Sequence, residues 1–282
     1  MTQKLAVAVI HGMGNQTEDF ADAMITQINE LCMPVTAHDV VIRPVHWTRV
    51  LQQEERTLWQ RMQASGADLK LPLARRFLID FLADIIAYQV TPHDSMVYDA
   101  VHTVLAETLR GLAEEAGERA PLCIIAHSLG SVIVSNYLYD LQHPHLIPAR
   151  AQAVMQPTPL EQGDTLALLY MMGSPLALWS LRYRDFGTPI AFPPPAVRDY
   201  YPAVVPQWVN FYDPDDVAAF PLQALNTAYA SVVTQDTRVQ VGGVIEGKTP
   251  LAHLAYWTDE DVIRPIAEGL IGVWRAVNQA QS

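Results

Sequence analysis

Pro121-Leu122-Cys123-Ile124-Ile125-Ala126-His127-Ser128-Leu129-Gly130 decides how the rest of the chain is read. Residues 121–126 are a short, continuously apolar run, the pattern of a strand buried on both faces in a parallel sheet. Leu129, Val132, Ile133, Tyr137 and Leu141 then fall on one helical face, which predicts a helix over Leu129–Leu141. Small residues two before and two after Ser128 let the strand turn sharply into that helix, leaving the serine hydroxyl exposed above the sheet edge. Bulky side chains at 126 and 130 would collide with neighbouring backbone. The helix start also offers unpaired N–H groups to an anion. A serine presented in this way is a candidate nucleophile.

Working outward, Leu5–Ile10 is another buried strand, followed by the glycine-rich His11-Gly12-Met13-Gly14. Phe20, Ala21, Met24, Ile25, Ile28 and Leu31 mark an amphipathic helix that Asn15 or Thr17 would cap. Val40–Trp47 reads as a strand, and Pro44 assigns it to an edge or a bend. Helices are expected over Val50–Met62, Leu73–Tyr88 and Asp99–Glu115, and further strands over Thr165–Met172, Trp208–Tyr212 and Thr237–Val244. Leu251–Thr258 reads as a loop and Asp259–Val277 as the closing helix. Alternating strands and helices predict a mostly parallel sheet with helices on both faces, in one domain spanning 1–282. Two consecutive helices at 48–92, where a strand is due, read as a helical cap insertion. The proline-rich stretch 185–206 reads as a long loop, and loops of that length are usually functional.

Composition narrows the possible partners. The formal charge of −12 disfavours nucleic acid, since the basic doublet Arg75-Arg76 beside an apolar helix makes no patch. Half the residues are hydrophobic, enough for a substantial core. Cys32 and Cys123 form no disulfide framework. No run reaches the roughly 18 apolar residues of a membrane span, and the first strand is too short for a signal peptide. A soluble, cytoplasmic protein without stable membrane insertion is the expectation. His143-Pro144-His145 lacks a third clustered ligand, so neither a metal nor another cofactor is expected. The sequence leaves the oligomeric state open.

A serine hydroxyl needs an adjacent base. His127 adjoins the nucleophile and points elsewhere, and His11, His38, His46, His93 and His102 precede it. His143 and His145 read as solvated loop residues. After an elbow of this kind the order is serine, acid, histidine, which selects His253. The acid follows the strand ending at Tyr212, in Asp213-Pro214-Asp215-Asp216. Asp213 reads as the turn-former before Pro214, leaving Asp215 and Asp216. Asp215 is favoured, on the expectation that Val217 anchors the next segment in the core. Backbone N–H groups of Met13 and Leu129 would form an oxyanion hole, with His11, Gly12 and His127 lining the substrate site.

His11–Gln16, Ala126–Gly130, Gly173-Ser174-Pro175-Leu176, Asn210–Val217 and His253-Leu254-Ala255-Tyr256-Trp257 occur in the order seen in bacterial α/β-hydrolases of the lipase and esterase superfamily. The resemblance spans residues 5 to 275. It departs at Ala126, where the family pattern has glycine, and in the insertion. It implies the α/β-hydrolase fold, a triad of Ser128, His253 and Asp215 or Asp216, and the oxyanion role for Met13 and Leu129. A serine hydrolase acting on small acyl esters is therefore expected, through an acyl-enzyme. Apolar residues of the insertion (Leu69, Leu71, Leu73, Phe77, Leu78, Phe81 and Leu82) suggest an apolar acyl group. A thioesterase or amidase on the same triad, or a non-catalytic hydrolase-like binding protein, are the alternatives.

Overall fold

Strand β1 (Leu5–Ile10) is buried along its whole length. Leu5, Val7 and Val9 enter one core, while Ala6, Ala8 and Ile10 enter the other, as the two-residue repeat of a strand requires. The computed structural model describes residues 2–14, 16–65, 84–90, 95–242 and 252–279. In it β1 lies between β2 (Val40–Val45) and β3 (Leu122–His127), followed by β4 (Leu166–Met172), β5 (Gln207–Tyr212) and β6 (Gln235–Arg238). The order is β2-β1-β3-β4-β5-β6, and every neighbouring pair is parallel.

Helices cover both faces. Met24, Ile28 and Cys32 of α1 (Asp22–Thr36) share one core with Ile263, Ile266 and Leu270 of the closing helix Glu260–Asn278. On the opposite face lie Val101, Leu105 and Leu109 from the helix Met96–Ala116, with Val132, Ile133 and Tyr137 from Leu129–Gln142. This is the α/β-hydrolase arrangement. From β1 the chain moves outward to β2, and from β3 it moves the other way to β6. The strand order therefore reverses between β1 and β3, and open α/β sheets bind ligands beyond the carboxyl ends at such a point. The glycine turn at 11–14 and Ser128 both emerge there.

Pro44 does lie on an edge strand. Other expectations shift. The first helix starts after Ala21 with no side-chain cap, so Thr17 does not cap it, and Asn15 lies outside the described residues. The last strand starts two residues earlier than expected, at Gln235, and ends at Arg238. His253 sits on a helical turn, Ala252–Ala255, where a loop was expected.

Of the insertion at 48–92, Gln52–Ala64 (α2) is helical and so are residues 84–88. Leu69, Leu71, Leu73, Phe77, Leu78, Phe81 and Leu82 lie outside the described residues. The 185–206 stretch is anchored on the body, with Ile190, Phe192, Val197 and Val204 buried and Phe192 edge-on to Trp208 at 6.0 Å. Among the described residues no helix is long and apolar enough to cross a membrane.

Candidate active site

Ser128 has φ 51° and ψ −128°, a conformation that L-residues rarely adopt and that typically costs about 1–3 kcal/mol. The neighbours that hold it there are small for a reason. A Cβ on Gly130 would stand 2.5 Å from the His11 carbonyl oxygen, and one on Gly12 would stand 2.5 Å from the Ser128 Cβ. The strand end, the helix start and the glycine turn thus meet at van der Waals distance around the serine. Ser128 N–H donates to the Met172 carbonyl at 2.9 Å, and the Ser131 hydroxyl donates to the Ser128 carbonyl at 2.6 Å. Ser131 Oγ lies 2.7 Å from the Ser174 hydroxyl, and Ser174 Oγ accepts Leu176 N–H at 3.2 Å. The Gly173-Ser174-Pro175 turn after β4 therefore braces the elbow.

The Ser128 hydroxyl is 2.7 Å from His253 Nε2. On the other side of the ring, Nδ1–H donates to Asp216 Oδ2 at 2.8 Å. That bond leaves the lone pair on Nε2, so the imidazole can accept the hydroxyl proton. Asp216 is 5% exposed. Its Oδ2 also accepts the Tyr256 hydroxyl at 3.1 Å, and its Oδ1 accepts Ala218 N–H at 3.0 Å. Burial, the largest single influence, pushes the carboxyl pKa up. The His253 hydrogen bond and charge, with the Ala218 and Tyr256 bonds, outweigh it and hold the pKa below the ordinary carboxylate value.

Asp216, and not the favoured Asp215, is therefore the carboxylate hydrogen-bonded to His253. The reason is the turn. Asp216 N–H donates to the Asp213 carbonyl at 3.0 Å, so Pro214 and Asp215 occupy the corners of a four-residue turn and are exposed. Asp215 faces a separate cleft with Arg238, Gln240 and Asp261. Asp213, buried beneath, accepts Asp215 N–H on Oδ1 and Val241 N–H on Oδ2. The expected anchor fails as well, because Val217 is 87% exposed.

The other expected residues divide. Gly12 packs on Ser128, as above. Leu129 opens its helix, where N–H groups have no intrahelical acceptor. Met13 is half-buried beside Gly12, and Gly14 N–H is tied to the Asp84 carboxylate at 2.8 Å. The expectation that His11 and His127 line the substrate site is not met, because both rings turn into the protein. His11 Nδ1–H donates to the Gly12 carbonyl at 2.8 Å and its ring stacks on Trp47 at 5.4 Å. His127 Nε2–H donates to the His253 carbonyl at 2.6 Å.

Sequence reasoning gave no role to Tyr256 and Gly173, although both fall in segments that carry the resemblance. The His253–Tyr256 spacing of three places both on one helical face, a signal lost when the segment is read as a loop. A Cβ on Gly173 (φ +59°) would stand 3.0 Å from the Tyr256 ring and 3.2 Å from both Asp216 Oδ2 and His253 Cε1.

Burial drives the pKa of His11 down to about 3, opposed by the Gly12 carbonyl and helped by His46. It drives His127 to about 3 as well, with the His253 charge adding to the effect. Burial likewise lowers His102, opposed by Asp140. Unfolded histidine titrates near about 6.5. Between about pH 6.5 and 3 the unfolded chain thus binds more protons than the folded one. The stability these rings contribute is complete above about 6.5 and is lost as pH falls toward 3. Denaturant midpoints measured from pH 7 to 4 are expected to decline steadily. A midpoint constant across that range would mean that the imidazoles protonate in place.

No protein-family model matches the sequence, and no curated protein is similar to it. Among solved structures, one described as belonging to an analysis of two esterases of the fungus Rhizomucor miehei is 12% identical. It aligns with a TM-score of 0.47 over 98% of this chain and 77% of that chain.

Proposed function

We propose that the protein is a serine hydrolase that cleaves carboxylic esters through an acyl-enzyme. One observation carries the reading: an unbroken chain of short hydrogen bonds, Ser128–His253–Asp216, at the point where the strand order reverses. Ser128 Oγ attacks the acyl carbonyl while His253 Nε2 takes its proton, and the Asp216 carboxylate stabilises the imidazolium. The N–H groups of Leu129 and Met13 receive the oxyanion. His253 returns the proton to the leaving alcohol, and water, activated by the same ring, releases the acid.

The substrate class rests on chemistry. An alkoxide-level leaving group needs one proton donor, which His253 supplies. The leucines and phenylalanines of the insertion favour an apolar acyl chain. A fluorophosphonate probe is expected to label Ser128 stoichiometrically, and p-nitrophenyl esters of increasing acyl length are expected to turn over with a preference that rises beyond acetate. Thioester or amide substrates preferred over every ester would move the assignment to the neighbouring reaction. A protein that neither labels nor turns over any acyl substrate would be a binding module.

A further inference from the structure

Ser128 is one of two adjacent residues that reach the base. His127, at the end of β3, is 2% exposed, and its Nε2–H donates to the main-chain carbonyl of His253 at 2.6 Å, across 126 residues of sequence. The ring packs 4.9 Å from the His253 ring, 5.3 Å from Trp257 and 5.9 Å from Tyr256. Its other nitrogen, Nδ1, lies 3.2 Å from where a Cβ on Gly12 would stand. One imidazole thus fills the space between the glycine turn and the segment that carries the base.

That segment needs an external hold. Ala252–Ala255 is a helical turn of four residues, too short to be stable by itself. The bonds from Asp216 and Ser128 act on the ring of His253, and Tyr256, three residues on, ties the far end of the turn to Asp213 and Asp216. We propose that His127 is a positioning residue: its hydrogen bond to the His253 carbonyl fixes the main chain of the base, so that Nε2 stays within reach of the Ser128 hydroxyl.

The inference rests on reading Ser128, His253 and Asp216 as the triad. His127 and Ser128 are consecutive at a rigid strand end, so the backbone of the base and the tip of its ring are held from a single anchor. The neutral state suits this role, since burial keeps the ring uncharged above about pH 3, with the Nε2 proton committed to the carbonyl and the lone pair on Nδ1. Displacement of a reacting group by about 1 Å costs on the order of 10²-fold in rate.

His127→Gln and His127→Asn separate the donor from bulk and polarity. The glutamine amide nitrogen reaches the place of Nε2, whereas the asparagine amide reaches only that of Nδ1. With a p-nitrophenyl ester, His127→Asn is expected to lower kcat by roughly 10- to 100-fold with KM changed less than about twofold. His127→Gln is expected to recover most of that loss.

A wild-type kcat in His127→Asn would overturn the proposal. So would folded His127→Gln protein that is as slow as His127→Asn, because the donor would then be irrelevant. Wild-type protein with ¹⁵N-labelled histidine supplies a readout independent of variant folding. His127 is expected as the Nε2-protonated tautomer with a slowly exchanging ring proton, and an Nδ1-protonated ring would overturn the proposal. His253→Gln in the same assay tests the underlying reading: activity surviving there refutes the triad, while activity lost there and retained in His127→Asn refutes the positioning role alone.

Discussion

Ser128→Ala is expected to lower ester turnover by on the order of 10⁶-fold, the loss seen when the nucleophile of such a triad is removed. The fold is expected to survive, because the contacts that hold the elbow are made by other atoms. The Ser128 carbonyl still accepts the Ser131 hydroxyl, its N–H still reaches Met172, and Gly12 still packs on the Cβ. Only the hydrogen bond to His253 Nε2 goes. Fluorophosphonate labelling should vanish with it. Ser128→Gly is expected to be equally inactive yet more stable than Ser128→Ala, because glycine adopts φ 51° without the roughly 1–3 kcal/mol that a side chain costs there. Turnover above about 1% in Ser128→Ala, or label mapped to Ser131 or Ser174, would assign the nucleophile elsewhere.

The second large effect distinguishes two neighbouring acids. In Asp216→Asn the amide replaces a carboxylate that accepts three hydrogen bonds, from His253, Tyr256 and Ala218. If the NH₂ group faces His253, Nδ1 must become the acceptor and the ring proton moves to Nε2, where it blocks proton transfer from Ser128. If the amide oxygen faces His253 instead, the tautomer is kept, but the imidazolium formed during reaction loses its counter-charge. Turnover is expected to fall about 10³- to 10⁴-fold, by the logic of other such triads. Asp215→Asn is expected to leave turnover within about twofold of wild type, since Asp215 sits on an exposed turn corner. Steady-state kinetics on the two variants decide the matter, and a reversed ranking would mean that the turn is remodelled when substrate binds.

Much of this was legible beforehand because the sheet is parallel and doubly covered. A strand buried on both faces leaves an uninterrupted apolar run, so Leu5–Ile10 and the strand before Ser128 stand out, as does the edge position of the Pro44 strand. The elbow was legible through the sizes of Ala126 and Gly130. Chain order pointed to His253, the histidine whose ring lies between Ser128 and Asp216. The carboxylate bonded to His253 lies one residue beyond the favoured Asp215, because that expectation leans on Val217, an apolar residue that points into solvent. Asp213-Pro214 does signal the turn, and the fourth residue of that turn, Asp216, returns toward the sheet.

The bonds made by Tyr256 and His127 were not legible for another reason. Both residues are bonded to main chain or to another side chain across 40 or more residues, and no local pattern encodes such a partner. Tyr256 is tied to Asp213 N–H and Asp216, and His127 to the His253 carbonyl.

The sheet order also bears on how activity is acquired during folding. Ser128 and His253 are 125 residues apart in sequence, and β3, whose end carries Ser128, pairs with β1 across the intervening insertion and long helix. Contacts of such separation must overcome loop closure before they contribute, which makes parallel sheets slow to assemble. Half of the sheet can form with Ser128 already on its elbow while the segment carrying His253 is still undocked. If the proposed ester turnover is measured after dilution from denaturant, its recovery should therefore trail the recovery of helical and sheet signal. The site reports when its final segment closes against the end of β3.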